Sequence, residues 1–211
     1  MPDKVLHKEI LTTEQVALMP LVKAFAKEFY LVGGTVIALH LGHRESIDFD
    51  LFTDREFDNG EVRAVIARGR LNVDRVLRDE AGQYTLMIRG VHFTFFHYPY
   101  RIPCARKLPG VIKMPDLLTL AAMKAFALGR RAKWKDYIDL YFIIKGHHTV
   151  EEISSRAMVI YGHEFNQRIF REQLAFHKDI NYTEGVSFKR GFAVKEEIIR
   201  KALIEFSLQS R

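Results

Sequence analysis

Residues 46–52 read Ser-Ile-Asp-Phe-Asp-Leu-Phe, and this strict alternation of apolar and acidic side chains fits a half-buried β-strand. On such a strand Ile47, Phe49 and Leu51 point into a core. Asp48 and Asp50 leave the opposite face together, with Cα atoms roughly 7 Å apart. Two carboxylates held this close on a rigid element repel unless a cation lies between them, and a hard divalent ion such as Mg²⁺ suits oxygen ligands. The plainer alternative is the wet side of an edge strand.

The flanking sequence sets the fold class. Thr12-Thr13-Glu14-Gln15 has capping-box spacing and opens a helix with an apolar stripe at Val16, Met19, Leu21, Phe25 and Phe29, broken near Pro20. A short strand at 30–32 stops at Gly33-Gly34, and residues 35–41 read as a helix ending before Gly42. A helix at 59–67 capped by Asn59 follows, then strands at 73–77, 84–89 and 91–98. Beyond Pro103 the composition shifts. Pro115 and Asp116 start a helix over 117–128, a second carries Trp134, Ile138, Tyr141 and Phe142, and the remainder from about 150 is helical around a polar break at 181–191. A mixed α/β half at 1–110 and a helical half at 111–211 predict an α+β fold.

Composition removes several classes. Hydrophobic residues at 48% and charged residues at 27% argue against intrinsic disorder. The single cysteine, Cys104, cannot close an internal disulfide or build a thiolate metal cluster. No apolar run is long enough to span a bilayer, and the N-terminal region lacks a signal-peptide core, so the expected location is the cytoplasm, away from membranes. The formal charge of +6 admits polyanionic partners and equally suits plain solubility.

The chemistry concentrates where these elements meet. Gly33-Gly34-Thr35 joins a strand to a helix, where glycine lets the backbone approach a phosphate and a helix N-terminus offers free N–H groups. Either that, or the glycines simply supply the dihedrals of a tight turn. Arg44, just before the aspartates, is placed to neutralise phosphate charge or to sit exposed. Lys124 lies in an apolar helix and must either snorkel or find an anion. Asp136 and Asp139 share a helical face, and Lys133 and Lys135 beside them fit ion pairs with acidic neighbours. Trp134 and Tyr137 suit base stacking or packing against the preceding helix.

Taken in order, Val32-Gly33-Gly34-Thr35, Gly42-His43-Arg44 with Ser46, Asp48-Phe49-Asp50-Leu51-Phe52, His97-Tyr98-Pro99-Tyr100, Ala121-Ala122-Met123-Lys124 and Lys135-Asp136-Tyr137-Ile138-Asp139-Leu140-Tyr141 resemble the AbiEii/AbiGii-type nucleotidyltransferases. These belong to the DNA polymerase β-like superfamily and include toxins of type IV toxin–antitoxin and abortive-infection systems. The likeness covers roughly residues 28–145. It implies a nucleotidyltransferase-like core over 1–110 and transfer of a nucleotidyl group from an NTP to RNA, tRNA among them, or to a protein hydroxyl. By the same resemblance Gly33, Gly34, Thr35, Arg44 and Ser46 surround the nucleotide, and Asp48 and Asp50 bind Mg²⁺. Lys124 contacts phosphate, Asp136 or Asp139 completes the catalytic set, and an antitoxin is a partner.

One position departs from the pattern. A third carboxylate is expected on a later strand, at Thr94, where threonine offers no anionic ligand. Asp136 or Asp139 substitutes, or His92 on the same strand face acts as the base, or the protein is a catalytically silent nucleotide- or RNA-binding module.

Overall fold

The computed structural model describes residues 5–209, which form two compact units. The outermost residues of the two sequence halves, 1–4 and 210–211, lie outside the described residues. The first unit holds the residues up to His40 together with Ser46–Asp116; the second holds Leu41–Glu45 and the chain from Leu117 onward.

The first unit is built on a mixed sheet of β1 (Tyr30–Val32), β2 (Asp48–Thr53), β3 (Arg75–Glu80), β4 (Gln83–Ile88) and β5 (Val91–His97), in the order β1-β2-β5-β4-β3. Only β2 and β5 run parallel, and they form the centre of the sheet. Strand alternation places Phe49, Leu51, Tyr84, Leu86, Ile88, Phe93 and Phe95 on one buried face. Phe25 and Phe29 pack edge-on against Phe95 with centroids 4.6 and 5.4 Å away. The helices of this unit are α1 (Thr13–Ala17), α2 (Met19–Ala24), α3 (Gly33–Leu41) and α4 (Asn59–Arg68). The Thr12–Gln15 capping box forms as its spacing requires, and the chain re-enters a helix at Met19 with Pro20 in the first turn.

Several sequence expectations shift here. Val16 is exposed and Gln15 is buried in its place, because the break before Met19 turns the α1 stripe away from that of α2. Ile47 precedes the strand and is exposed rather than in the core. The cap of α4 is Asp58, whose carboxylate accepts from the Gly60 N–H, while the Asn59 amide reaches Asp79 instead. A short hairpin, β6 (Arg106–Leu108) with β7 (Ile112–Met114), follows the sheet; its three-residue strands are too brief to register as a periodic pattern.

The second unit contains α5 (Leu117–Leu128), α6 (Trp134–Gly146), α7 (Val150–Tyr161), α8 (Gln167–Ala175) and α9 (Glu196–Leu208). Helix α5 packs on α6, α7 and α8, and α9 closes against α6 and α8. Trp134 and Tyr137 are core residues of this unit: Trp134 lies 5.5 Å from the Tyr182 ring, and the Tyr137 hydroxyl donates to the Phe176 carbonyl at 3.2 Å. The α3–β2 connection, Leu41–Glu45, belongs to this unit because the irregular segment before α9 grips it. Arg44 bridges Phe188, the Glu45 N–H donates to the Ser187 carbonyl at 2.9 Å, and the Lys189 N–H donates to the His43 carbonyl at 3.0 Å. No helix among the described residues is long and apolar enough to cross a membrane.

Candidate active site

The predicted site residues fall into two groups, one in each unit. In the first unit, β1 runs directly into α3 at Gly33, whose φ of +78° is a conformation that side-chain-bearing residues rarely adopt. The space above Gly33 is filled by Asp50: a Cβ at position 33 would lie 1.9 Å from the Asp50 Oδ2. Glycine is needed here for two independent reasons, backbone conformation and carboxylate clearance. Gly34 occupies the first turn of α3, whose leading N–H groups have no intrahelical acceptors.

Thr35 has a different job from the one its neighbours suggest. It is buried, and its hydroxyl lies against the Asp48 carbonyl and the Ser46 hydroxyl, the latter at 3.0 Å. Thr35 and Ser46 therefore fasten the start of α3 to the start of β2. That contact fixes Asp48 relative to the glycine turn.

Parallel pairing of β2 with β5 sets Asp48 opposite His92 and Asp50 opposite Thr94. All four share the sheet face away from the core and are half-buried. His92 Nδ1 lies 3.4 Å from Asp48 Oδ1. Farther along the same face Phe52 and Phe96 pair at 5.2 Å, and Tyr98 joins them at 5.3 and 6.2 Å. Among the described residues no group of three or more His, Cys, Asp or Glu side chains is arranged to hold a metal ion. Asp48 and Asp50 are the two carboxylates that β2 places on this face.

The second group is a buried charge cluster within the helical unit. Asp139 is fully buried, and Arg44 binds it in fork geometry, Nε to Oδ1 at 2.8 Å and Nη2 to Oδ2 at 2.9 Å. The His43 Nε2 meets Oδ1 at 2.9 Å, and the Lys124 ammonium reaches Oδ2 at 3.1 Å. Lys124 also pairs with Asp136, which receives the Arg131 Nε at 3.3 Å on its other oxygen. Burial alone pushes the Asp139 carboxyl up, but Arg44, Lys124 and the hydrogen bonds of His43 and Arg44 outweigh it and hold the group well below the usual carboxylate range. Burial likewise pushes the Lys124 ammonium down, and Asp136 with Asp139 overcomes that to raise it. Lys124 is thus neither snorkelling nor exposed; it sits in an anionic socket.

The nearby lysines follow the ion-pair reading. Lys133 and Lys135 share Glu184, at 2.6 and 3.3 Å. Burial raises the Glu184 carboxyl, yet the two lysines bring it to about 2. Sequence reasoning missed Glu184 and His43 as members of these networks, since the partners lie 51 and 96 residues apart.

A mixed sheet with a parallel centre, two aspartates alternating on β2 and a Gly-Gly helix start beside them defines the nucleotidyltransferase fold. Solved structures agree at the level of fold. MenT4, a nucleotidyltransferase toxin from Mycobacterium tuberculosis H37Rv, superposes with a TM-score of 0.57 at 16% identity, over 93% of this chain and 83% of that one. JHP933 from Helicobacter pylori gives 0.55 at 15% identity, over 96% and 91%. A likeness in sequence points the same way: residues 21–114 match the family model described as nucleotidyl transferase AbiEii toxin, type IV TA system. An uncharacterized protein of Aquifex aeolicus (strain VF5) is 34% identical over 125 residues, 57% of this chain; the chain spans 59% of that relative's length.

Proposed function

We propose that this protein transfers a nucleotidyl group from an NTP to a hydroxyl acceptor. The carrying observation is the placement of Asp50 over Gly33, with Asp48 beside it on the same open strand face. Two hard carboxylates next to a phosphate-binding helix start fit Mg²⁺, which takes few protein ligands and completes its shell with substrate oxygens and water. Asp48 and Asp50 would hold the ion, which when bound supplies charge neutralisation at the reacting phosphate.

The chain's own residues do the rest. Backbone N–H groups at Gly33, Gly34 and Thr35 orient the triphosphate, since the Thr35 side chain is already engaged with β2. The acceptor oxygen attacks the α-phosphorus, the α–β bond breaks and pyrophosphate leaves. His92, on the open face beside Asp48, takes the acceptor proton. Asp136 and Asp139 are saturated by cations in the helical unit, so we assign Lys124, Asp136, Asp139 and Arg44 a positioning role there rather than proton transfer. The acceptor we favour is RNA, tRNA included, over a protein hydroxyl. The family description supports a toxin held by an antitoxin partner.

Thr94, in register with Asp50 where an additional carboxylate is expected, favours a second reading: a nucleotide or RNA binder without turnover. Incubation with each α-labelled NTP, Mg²⁺ and total RNA separates the two. Label should enter an acceptor with the wild type, and the Asp48→Ala, Asp50→Ala double variant should incorporate none. His92→Gln should lower the rate about 10²–10⁴-fold with little change in KM for NTP. Saturable NTP binding with no labelled product under any metal would establish the silent reading instead.

A further inference from the structure

The β6–β7 hairpin carries a feature that stability alone does not explain. Lys107 and Lys113 are directly opposed across the two antiparallel strands, both exposed on the same face. Like charges in that arrangement repel, and neither lysine is matched by a carboxylate across the ladder; the Lys113 ammonium lies 6.0 Å from the centre of the Tyr30 ring. Leu108, Ile112 and Met114 anchor the other face in the core, so the hairpin is a seated platform rather than a loose loop. From Pro99 to Pro115 the chain holds Arg101, Arg106, Lys107 and Lys113 and no acidic residue.

The same stretch begins with aromatics. Phe52 and Phe96, on the carboxylate face of the sheet, continue through Tyr98 to Tyr100, whose ring lies 5.0 Å from that of Tyr98. These rings are half-buried, so part of each remains accessible. Cross-strand pairing accounts for Phe52 with Phe96, which are directly in register; Tyr98 and Tyr100 follow the last residue of β5, and the Tyr98 N–H donates to the Thr53 carbonyl at 2.8 Å. Ring faces followed by the exposed ammonium groups of Lys107 and Lys113 match the two parts of an unpaired nucleic-acid strand, bases to stack and phosphates to neutralise. A lipid surface fits less well, because residues 99–115 include no exposed large hydrophobic side chain to insert.

We infer that Tyr98, Tyr100 and the Lys107–Lys113 face of the hairpin form a docking track for an unpaired RNA strand, leading along the sheet toward Asp48 and Asp50. Naming that strand as the acceptor rests on the transferase reading; binding itself does not.

Fluorescence anisotropy with a short, end-labelled, unpaired RNA tests it on the full chain. The Lys107→Gln, Lys113→Gln variant should bind about tenfold more weakly, with a log–log salt dependence shallower by about 0.7 per lysine removed. Lys107→Arg, Lys113→Arg should restore both, which separates lost charge from lost folding. Tyr100→Leu should weaken the unpaired strand about fivefold and leave a duplex of the same sequence unchanged. Asp48→Ala with Asp50→Ala should abolish transfer and leave RNA affinity intact. Unchanged affinity and salt slope in the glutamine variant would overturn the track, as would binding to phosphatidylserine–phosphatidylcholine vesicles in place of RNA. Hairpin-dependent RNA binding without any transfer would instead leave the track standing and remove the transferase reading.

Discussion

At Gly33 one hydrogen atom decides whether Asp50 can occupy its place. A methyl group there would need the space of the Asp50 carboxylate and would sit at φ +78°, so Gly33→Ala should push Asp50 aside. The expected result is a folded protein, destabilised by about 1–2 kcal/mol, whose transfer rate falls far more than that figure suggests. Melting temperature and initial rate, measured together, check it. Asp139 is the opposite case, a residue whose loss should be felt first in folding. Asp139→Asn leaves Arg44 buried against a neutral amide and should cost about 3–5 kcal/mol in chemical denaturation. The pH dependence follows from the directions of the shifts. A depressed folded Asp139 contributes stability that is fully present above the unfolded value of about 3.9 and is lost as pH falls toward the folded one. A raised Lys124 contributes stability present below about 10.4 and lost as pH climbs through its folded value. Neither group makes stability depend on pH between those limits, where burial of His177, which lowers its value, and of Cys104, which raises its thiol, sets the slope instead. In Asp139→Asn the acid limb should shrink.

Elements were legible where their pattern was local and long. The β2 alternation, the capping box at Thr12–Gln15 and the glycine turn before α3 each carry their signal within a few residues, and each forms. What escaped was non-local or short. Three-residue strands carry no measurable period, so the β6–β7 hairpin is silent in sequence. The assignment of Leu41–Glu45 to the helical unit depends on backbone bonds to residues more than 140 positions away. Thr35 stood out in the sequence as a candidate phosphate contact and not as a fastener, because its partners Ser46 and Asp48 only meet it once β2 pairs. The hairpin also supplies an element-scale test. Lys107→Glu converts a repulsive cross-strand pair into an attractive one and should raise stability by about 0.2–1 kcal/mol. A thermal melt checks that expectation, and the same variant should bind RNA less well, a combination expected when a charge is kept for a ligand.

For the whole molecule, a net charge of +6 permits a polyanion without locating it. Much of the basic charge near Lys124 is internally answered: Lys133 and Lys135 by Glu184, Arg44 and Lys124 by Asp139 and Asp136. The hairpin lysines are exposed and have no carboxylate opposite them, Lys107 facing Lys113 and Lys113 also lying over the Tyr30 ring. Fold likeness alone does not choose a reaction, since one fold hosts many chemistries. The choice rests on Asp48 and Asp50 beside the glycine turn. Intact-mass analysis of RNA recovered after incubation with a single NTP and Mg²⁺ tests that directly. The wild type should add the mass of one or more nucleoside monophosphates and release pyrophosphate, and the Asp48→Ala, Asp50→Ala variant should add nothing. Equal nucleotidyl addition by both proteins would contradict the account.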